Sequence, residues 1–398
     1  MRITGIHIGL LFFLAICFMV RDSFAQDVRV PVKNVFFVEP GFKMGRMIDI
    51  FPGVPSATDS YFTEINLGYQ TTGKQWWNSY YNYPRVGVLL SYAYLGNKDV
   101  LGSNISILPN MSLKITGNEK FSLRGRIGLG FSWFLKPYDR ITNPENKFIG
   151  SRITQYSQFT LEGNIKLSEK VLLTSGVSFH HYSTGHVQIP NIGVNIPGFN
   201  LGLVFYPTKI PDRSHYTDTV FTVDKRLLFN LQLGLGVHEY ASTTFATGGP
   251  KYPIYGGALF LSKRLGMILG LQLGFHINYY ASFYDYIIAN DFYASKQRLK
   301  AFTLTPFVGA ELLVGRLGFT GQLGIYAYNP FVNDMNEHFK ETGGKNNYLK
   351  RVNTNRLGVK YYLVDATRSA SKKPYIGLLI KTVAGQADFV EVNIGYAF

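Results

Sequence analysis

The chain has 398 residues and a single cysteine, Cys17, which sits inside the first apolar stretch. Beyond that stretch there is no thiol at all, which excludes a disulfide framework and thiol chemistry. Charge is sparse, with Asp, Glu, Lys and Arg together making up 16%. After the N-terminal stretch no apolar run approaches the ~20 residues of a membrane-spanning helix, so a bundle of such helices is excluded. Acidic residues are scarcer than basic ones, 25 against 40, for a formal net charge of +15.

What is present begins with a compartment. Arg2 precedes an apolar run from Ile6 to Val20, and Ser23-Phe24-Ala25 follows with small residues at the cleavage positions. This reads as a secretory signal over residues 1–25, cut after about Ala25. For an exported chain the basic excess points away from nucleic acid and toward anionic lipid head groups. Phe, Tyr and Gly are abundant at 31, 27 and 41 residues. Many aromatics and glycines, few charges and no helical span fit an outer-membrane β-barrel, whose aromatics form belts at both interfaces.

Side chains of a strand alternate between its two faces, and the chain shows that alternation repeatedly. Over 267–279, Met267, Leu269, Leu271, Leu273, Phe275, Ile277 and Tyr279 share one face, and Gly270, Gln272, Gly274, His276 and Asn278 the other. Residues 229–238, 121–134 and 317–328 repeat the pattern, an unbroken apolar face opposite a small or polar one. One face then meets lipid and the other a lumen, where His238 and His276 are expected as solvated lining. Val390, Val392, Ile394, Tyr396 and the terminal Phe398 alternate too, resembling the final strand that outer-membrane assembly machinery recognises.

Strands are expected to begin near 85, 101, 120, 154, 170, 196, 227, 253, 266, 300, 314, 354 and 374, with one more ending at Phe398. The fold class is therefore all-β: a transmembrane antiparallel barrel over 85–398 with roughly 14 strands, 12 to 16 being compatible with the pattern. Residues 26–84 read as an N-terminal extension, in which 62–70 is either a strand or part of a plug and Trp76-Trp77 through Tyr83-Pro84 an aromatic interface segment. Counting back from Phe398, the long connections 136–153, 239–252, 280–299 and 328–353 fall on one side and the tight turns 167–170, 264–266 and 312–314 on the other. Only 208–226 is long where the parity requires a short turn. By the same parity the strand 170–183 ascends, so its end lies near the outer leaflet.

That end carries the chemistry. The strand closes on His181-Tyr182-Ser183-Thr184-Gly185-His186, followed by Pro190-Asn191-Ile192-Gly193-Val194-Asn195. His181 and Ser183 share the face of Leu173, Val177 and Phe179, about 7 Å apart along the strand. A serine hydroxyl is a weak nucleophile until an imidazole takes its proton, and a third group must hold that imidazole's tautomer. His180 and His181 point to opposite faces and cannot share an ion while the strand stays regular, so neither metal nor cofactor is expected. Gly128 and Gly130, like Gly234 and Gly236, lie inside strands with no helix following to make a phosphate cradle.

At these residues the sequence resembles the outer-membrane lipid A 3-O-deacylase family (PagL-like, acyloxyacyl hydrolases), whose motif runs His-x-Ser-Asn and then Pro-Asn-x-Gly-x-Glu. His181, Ser183, Pro190, Asn191 and Gly193 match in identity and spacing; the resemblance is looser over about 85–207 and carries no family signal beyond. It implies a lipid-facing esterase in the bacterial outer membrane that releases a 3-position acyl chain from lipid A or lipopolysaccharide, with surrounding outer-membrane lipid as its other partner. Ser183 would be the nucleophile, His181 the base and Asn195 the third member, where the family motif has an acid. Asn191, Thr184, Gly185 and His186 would support the oxyanion, with Thr184 standing where the motif has Asn, and Pro190 and Gly193 would shape the loop. The competing reading is a non-catalytic channel or transporter for hydrophobic compounds, which requires a continuous lumen; a soluble exported β-sandwich hydrolase is a third.

Overall fold

The computed structural model describes residues 33–48, 57–73, 75–209, 224–239, 249–338, 352–364 and 372–398. The signal segment 1–25, with Cys17, lies outside the described residues. The strands close into two separate rings. The first contains β1 (Val35–Arg46), β2 (Asp59–Gln70), β3 (Arg85–Tyr94), β4 (Ser103–Gly117), β5 (Phe121–Phe134), β6 (Ile153–Lys166), β7 (Val171–Ser183) and β8 (Val194–Phe205). The second contains β9 (Leu227–Glu239), β10 (Lys251–Arg264), β11 (Leu269–Tyr280), β12 (Phe302–Val314), β13 (Leu317–Ile325), β14 (Asn353–Tyr362), β15 (Lys373–Val383) and β16 (Gln386–Ala397). Every pairing is antiparallel; β8 returns to β1, with Gly202 opposite Gly41, and β16 returns to β9, with Val392 opposite Leu235.

The all-β barrel reading holds, and the fourteen strands expected from residue 85 onward are all found. Two corrections follow. Residues 35–46, read as extension, form a barrel strand, and the 62–70 stretch is the strand of its two alternatives, within β2; together they bring the count among the described residues to sixteen, inside the 12-to-16 range. These sixteen form two rings of eight rather than one barrel. The long 208–226 segment is then the link between barrels, which no turn-length rule governs.

Eight strands leave an interior that side chains can fill, and here they fill it. In the first barrel Arg126 Nη2 sits 2.5 Å from Glu39 and 2.9 Å from Glu162, Lys43 2.9 Å from Glu64, and Asn110 donates to Asn66 at 2.8 Å. In the second, Arg356 Nη2 donates to Asn278 at 2.8 Å and its Nη1 meets His276 Nδ1 at 2.7 Å, while Lys381 pairs with Asp388 at 2.6 Å. His238 and His276 are both 2% exposed, so they are packed members of these networks and not solvated lining. The outward faces are apolar, with Leu233, Leu273 and Phe199 more than half exposed.

Charges this deeply buried depend on one another. Arg126→Leu would strand the carboxylates of Glu39 and Glu162 in the lumen, and breaking such a pair costs about 3–5 kcal/mol. The denaturant midpoint of the purified full chain should fall accordingly, whereas an unchanged midpoint would show the network to be dispensable.

The two barrels touch at both ends. At one, the loop after β7 meets β9, with Glu239 N–H donating to the His186 carbonyl at 3.1 Å. At the other, the helix α1 (Trp76–Tyr80) follows β2. Trp76 and Tyr81 are buried there with Met267, Ile268 and Leu313, and Tyr81 Oη donates to the Leu313 carbonyl at 3.0 Å. Within the Trp76–Pro84 segment, Trp76 and Tyr81 thus make an inter-barrel contact. Both ends match like with like, so the barrels stand side by side with the same orientation.

Candidate active site

β7 delivers its residues as the alternation requires. Thr174, Ser178, His180 and Tyr182 are buried in the lumen, while Val177 on the outward face is 49% exposed. His180 stacks on Phe62 with centroids 4.0 Å apart and bonds Tyr156 Oη at 2.6 Å, well separated in direction from His181. The outward row ends at His181 and Ser183. β8 sets Asn195 directly opposite His181 across the ladder, and their side chains meet, His181 Nδ1 to Asn195 Oδ1 at 2.8 Å. An amide oxygen only accepts, so Nδ1 carries the proton and Nε2 keeps its lone pair. That is the tautomer a base needs.

The loop 184–193 folds back over Ser183. Gly185 and His186 take left-handed backbone at φ +65° and +69°, as does Gly193 at +77°. A Cβ on Gly185 would come within 2.4 Å of Val390 Cγ2, so glycine is required by contact as well as by φ. The turn brings Gly185 N–H to Ser183 Oγ at 3.1 Å. Asn191 Oδ1 accepts Thr184 N–H at 2.9 Å, which fixes the amide orientation and turns Nδ2 onto Ser183 Oγ at 3.1 Å. Two donors therefore converge on one hydroxyl oxygen. Thr184 Oγ1 donates to the Gln188 carbonyl at 2.6 Å, tying the loop across its own base.

The 135–152 loop holds the far side. Ile192 and Gly193 N–H donate to the carbonyls of Lys147 and Phe148 at 3.2 and 3.1 Å, and Gly150 leaves room for Ile189 and Pro190 to pass against it. Asn146 braces that loop, its Oδ1 accepting Phe148 and Ile149 N–H and its Nδ2 donating to the Lys136 carbonyl. Asp139 accepts N–H groups of Thr142 and Ile141, which holds its carboxyl below the usual range.

Every residue singled out in this stretch is thus brought to one place: His181, Ser183 and Asn195 on adjoining strands, Thr184, Gly185, His186, Pro190, Asn191 and Gly193 in the loop. Ser183 and Asn191 are 7% and 8% exposed. Among the described residues no hydrogen bond joins Ser183 to His181, because the hydroxyl is engaged by Asn191 and Gly185. The described residues also hold no group of three or more His, Cys, Asp and Glu spaced to bind a metal ion.

Three neighbours escaped the sequence reading. Gln155 and Ser157 on β6 stand opposite Ser183 and His181, and Gln155 Nε2 donates to Ser157 Oγ at 2.6 Å. They interrupt an outward row otherwise made of Ile153, Phe159 and Leu161, and that interruption was visible in principle. Glu239, 5% exposed, also reaches the loop, its Oε2 accepting Ile189 N–H at 3.0 Å; no local pattern could have announced a contact made between barrels. A second serine–histidine contact, Ser282 Oγ to His238 Nε2 at 2.9 Å, has its nearest carboxylate, Asp388, already bonded by Lys381 and Tyr280, and Ser282 is 2% exposed.

Comparison with known proteins adds two family matches, one to each barrel. Residues 63–204 match the family described as lipid A 3-O-deacylase (PagL), and residues 227–398 match the acyloxyacyl hydrolase C-terminal domain. The second half, which carried no family signal by inspection, therefore carries one. No curated protein matches the chain. Among solved structures, the outer membrane enzyme PagL is 14% identical, covering 41% of this chain and 97% of its own at a TM-score of 0.32. CdiB from Acinetobacter baumannii is 10% identical over 91% of this chain and 60% of its own, at 0.18. The β domain of the Bordetella autotransporter BrkA is 8% identical over 92% and 98%, at 0.20.

Proposed function

The chain belongs to the lipid A 3-O-deacylase (PagL) and acyloxyacyl hydrolase family, and on that premise we propose that this outer-membrane β-barrel protein removes the ester-linked acyl chain at the 3-position of lipid A. The reaction runs on the lipid-facing wall of the first barrel. The observation that carries this reading is the convergence of Gly185 N–H and Asn191 Nδ2 on Ser183 Oγ, beside an imidazole whose Nδ1 is tied to Asn195.

Ser183 turns about χ1 toward His181, and its Oγ attacks the ester carbonyl while the proton passes to His181 Nε2. Catalytic hydrogen bonds often form only in the substrate complex, so the resting contact with Asn191 does not oppose this step. The turn also releases the two donors, which then meet the developing oxyanion. Collapse expels the sugar 3-oxygen, which takes the proton from His181. Water, deprotonated by the same imidazole, then adds to the acyl carbonyl, and collapse frees the fatty acid as Ser183 Oγ takes the proton back from His181. The leaving chain lies against the exposed Val177 and Phe199. Exposed Lys98, Lys136, Arg140 and Arg152 in the site-end loops meet the anionic head group. The terminal strand ending at Phe398 is the feature offered to the outer-membrane assembly machinery.

Side chains fill both lumens, which speaks against the channel reading; conductance in planar bilayers would revive it. The direct test is mass spectrometry of lipid A from cells making the protein, with loss of one 3-hydroxyacyl group expected. Unaltered lipid A around a folded, outer-membrane-inserted protein would overturn the assignment. Asn191→Ala should lower kcat by about 10²-fold, the usual cost of one oxyanion donor, with KM little changed; a KM effect alone would make Asn191 a binding residue instead.

A further inference from the structure

Nothing so far gives the second barrel a task, since the hydrolytic groups all come from the first. We infer that the second barrel completes the active site, with Glu239 as a positioning residue that holds the 184–190 loop in its donor-presenting form; this rests on the deacylase reading above. Glu239 grips the loop at two points three residues apart. Its N–H donates to the His186 carbonyl at 3.1 Å and its Oε2 accepts Ile189 N–H at 3.0 Å. Between them these bonds fix the segment that follows the Gly185–His186 left-handed turn. That turn is what aims Gly185 N–H at Ser183 Oγ. Val390 of the same barrel packs against Gly185 from outside, close enough to refuse a Cβ.

The clamp is itself rigidly mounted. Glu239 ends β9, paired with Lys251 of β10. Its neighbour His238 is fixed by Ser282 at 2.9 Å and lies 3.7 Å from Asp388, which Lys381 and Tyr280 hold at 2.6 and 2.7 Å. The first barrel anchors the loop's far side through Lys147 and Phe148, so the loop is stretched between two barrels. A left-handed pair of residues at 185–186 is a costly local conformation for any non-glycine partner. Removing one anchor lets it relax, and the oxyanion donor with it. Glu239 touches no reacting atom; it acts through the loop.

The test compares Glu239→Ala with Glu239→Gln in the full-length protein, purified in detergent and assayed on lipid A. An amide oxygen still accepts Ile189 N–H, so Glu239→Gln should stay within about threefold of wild type. Glu239→Ala should lose 10-fold or more in kcat, up to the about 10²-fold of a lost donor, with KM nearly constant. Amide hydrogen exchange over residues 184–190 should quicken in the alanine variant and not in the glutamine one. Wild-type kcat in Glu239→Ala, equal loss in both variants, a change confined to KM, or unaltered exchange would each overturn the clamp. If the wild-type protein leaves lipid A untouched, the deacylase reading falls alone, and the exchange comparison still decides whether Glu239 holds the loop.

Discussion

Ser183→Ala should abolish acyl release while leaving the barrels intact. The substitution removes one oxygen that accepts Gly185 N–H and Asn191 Nδ2 and donates no bond that spans elements beyond the loop. Asn191 keeps Thr184 N–H as its partner, so the loop retains its tie to the strand end. No part of the sheet register depends on a hydroxyl at this position, since β6 pairs with residue 183 through backbone. The loss in kcat should be at least about 10³-fold, because removing a nucleophile in a serine–histidine unit leaves only what binding and oxyanion donors supply. Lipid A from cells making the variant should match that of cells lacking the protein. Heat-modifiable migration of the variant on gels should match wild type. Residual release within about tenfold of wild type would remove Ser183 from the nucleophile's role and leave the site's donors to serve a different attacking group.

The fold was legible strand by strand and illegible ring by ring. β7 begins at 171 and β14 at 353, next to where the alternation starts them at 170 and 354, because lumen and lipid select opposite residue types within each strand. Alternation tells a strand's faces, however, and says nothing about its neighbour. Whether Phe205 at the end of β8 pairs forward or back to Val38 depends on curvature and closure, which no single segment encodes. The one local trace of the true division was the misplaced length of 208–226. β1 escaped notice for a different reason: Val35-Phe36-Phe37-Val38 is apolar on both faces, and Pro40 breaks a ladder hydrogen bond in the strand interior. Its Glu39 and Lys43, which look unsuited to a membrane strand, face inward to Arg126 and Glu64.

The site was more legible than the fold around it, since its parts lie close in sequence. A two-residue spacing set His181 beside Ser183 on one face, whereas Asn195 came only from the resemblance to the family motif; the ladder between β7 and β8 sets it opposite His181. Those relations survive whichever ring the strands close into. What spacing could not supply was the environment: the brace from Asn146 and Lys147 comes from a separate loop, and the grip of Glu239 comes from a separate barrel.

His181→Ala is the second change expected to act at the level of the reaction itself. With the imidazole gone, Ser183 loses the base that takes its proton, and kcat should again fall at least about 10³-fold. The losses of Ser183→Ala and His181→Ala should not add in the double variant, because the two groups serve one proton transfer. Asn195 makes the argument sharper. It holds Nδ1–H by hydrogen bond without offering charge, so it fixes the tautomer but gives the imidazolium little electrostatic support. Asn195→Leu should therefore cost activity through loss of orientation, whereas Asn195→Asp should keep the orientation, add the missing charge and hold or raise kcat. The wild-type rate should rise with pH through the titration of the imidazole, since only neutral His181 can take the proton. In Asn195→Asp that rise should move to higher pH, because a neighbouring carboxylate favours the protonated ring. A wild-type rate flat across the imidazole range, or one unmoved by the new carboxylate, would mean that His181, though held by Asn195, is not the base.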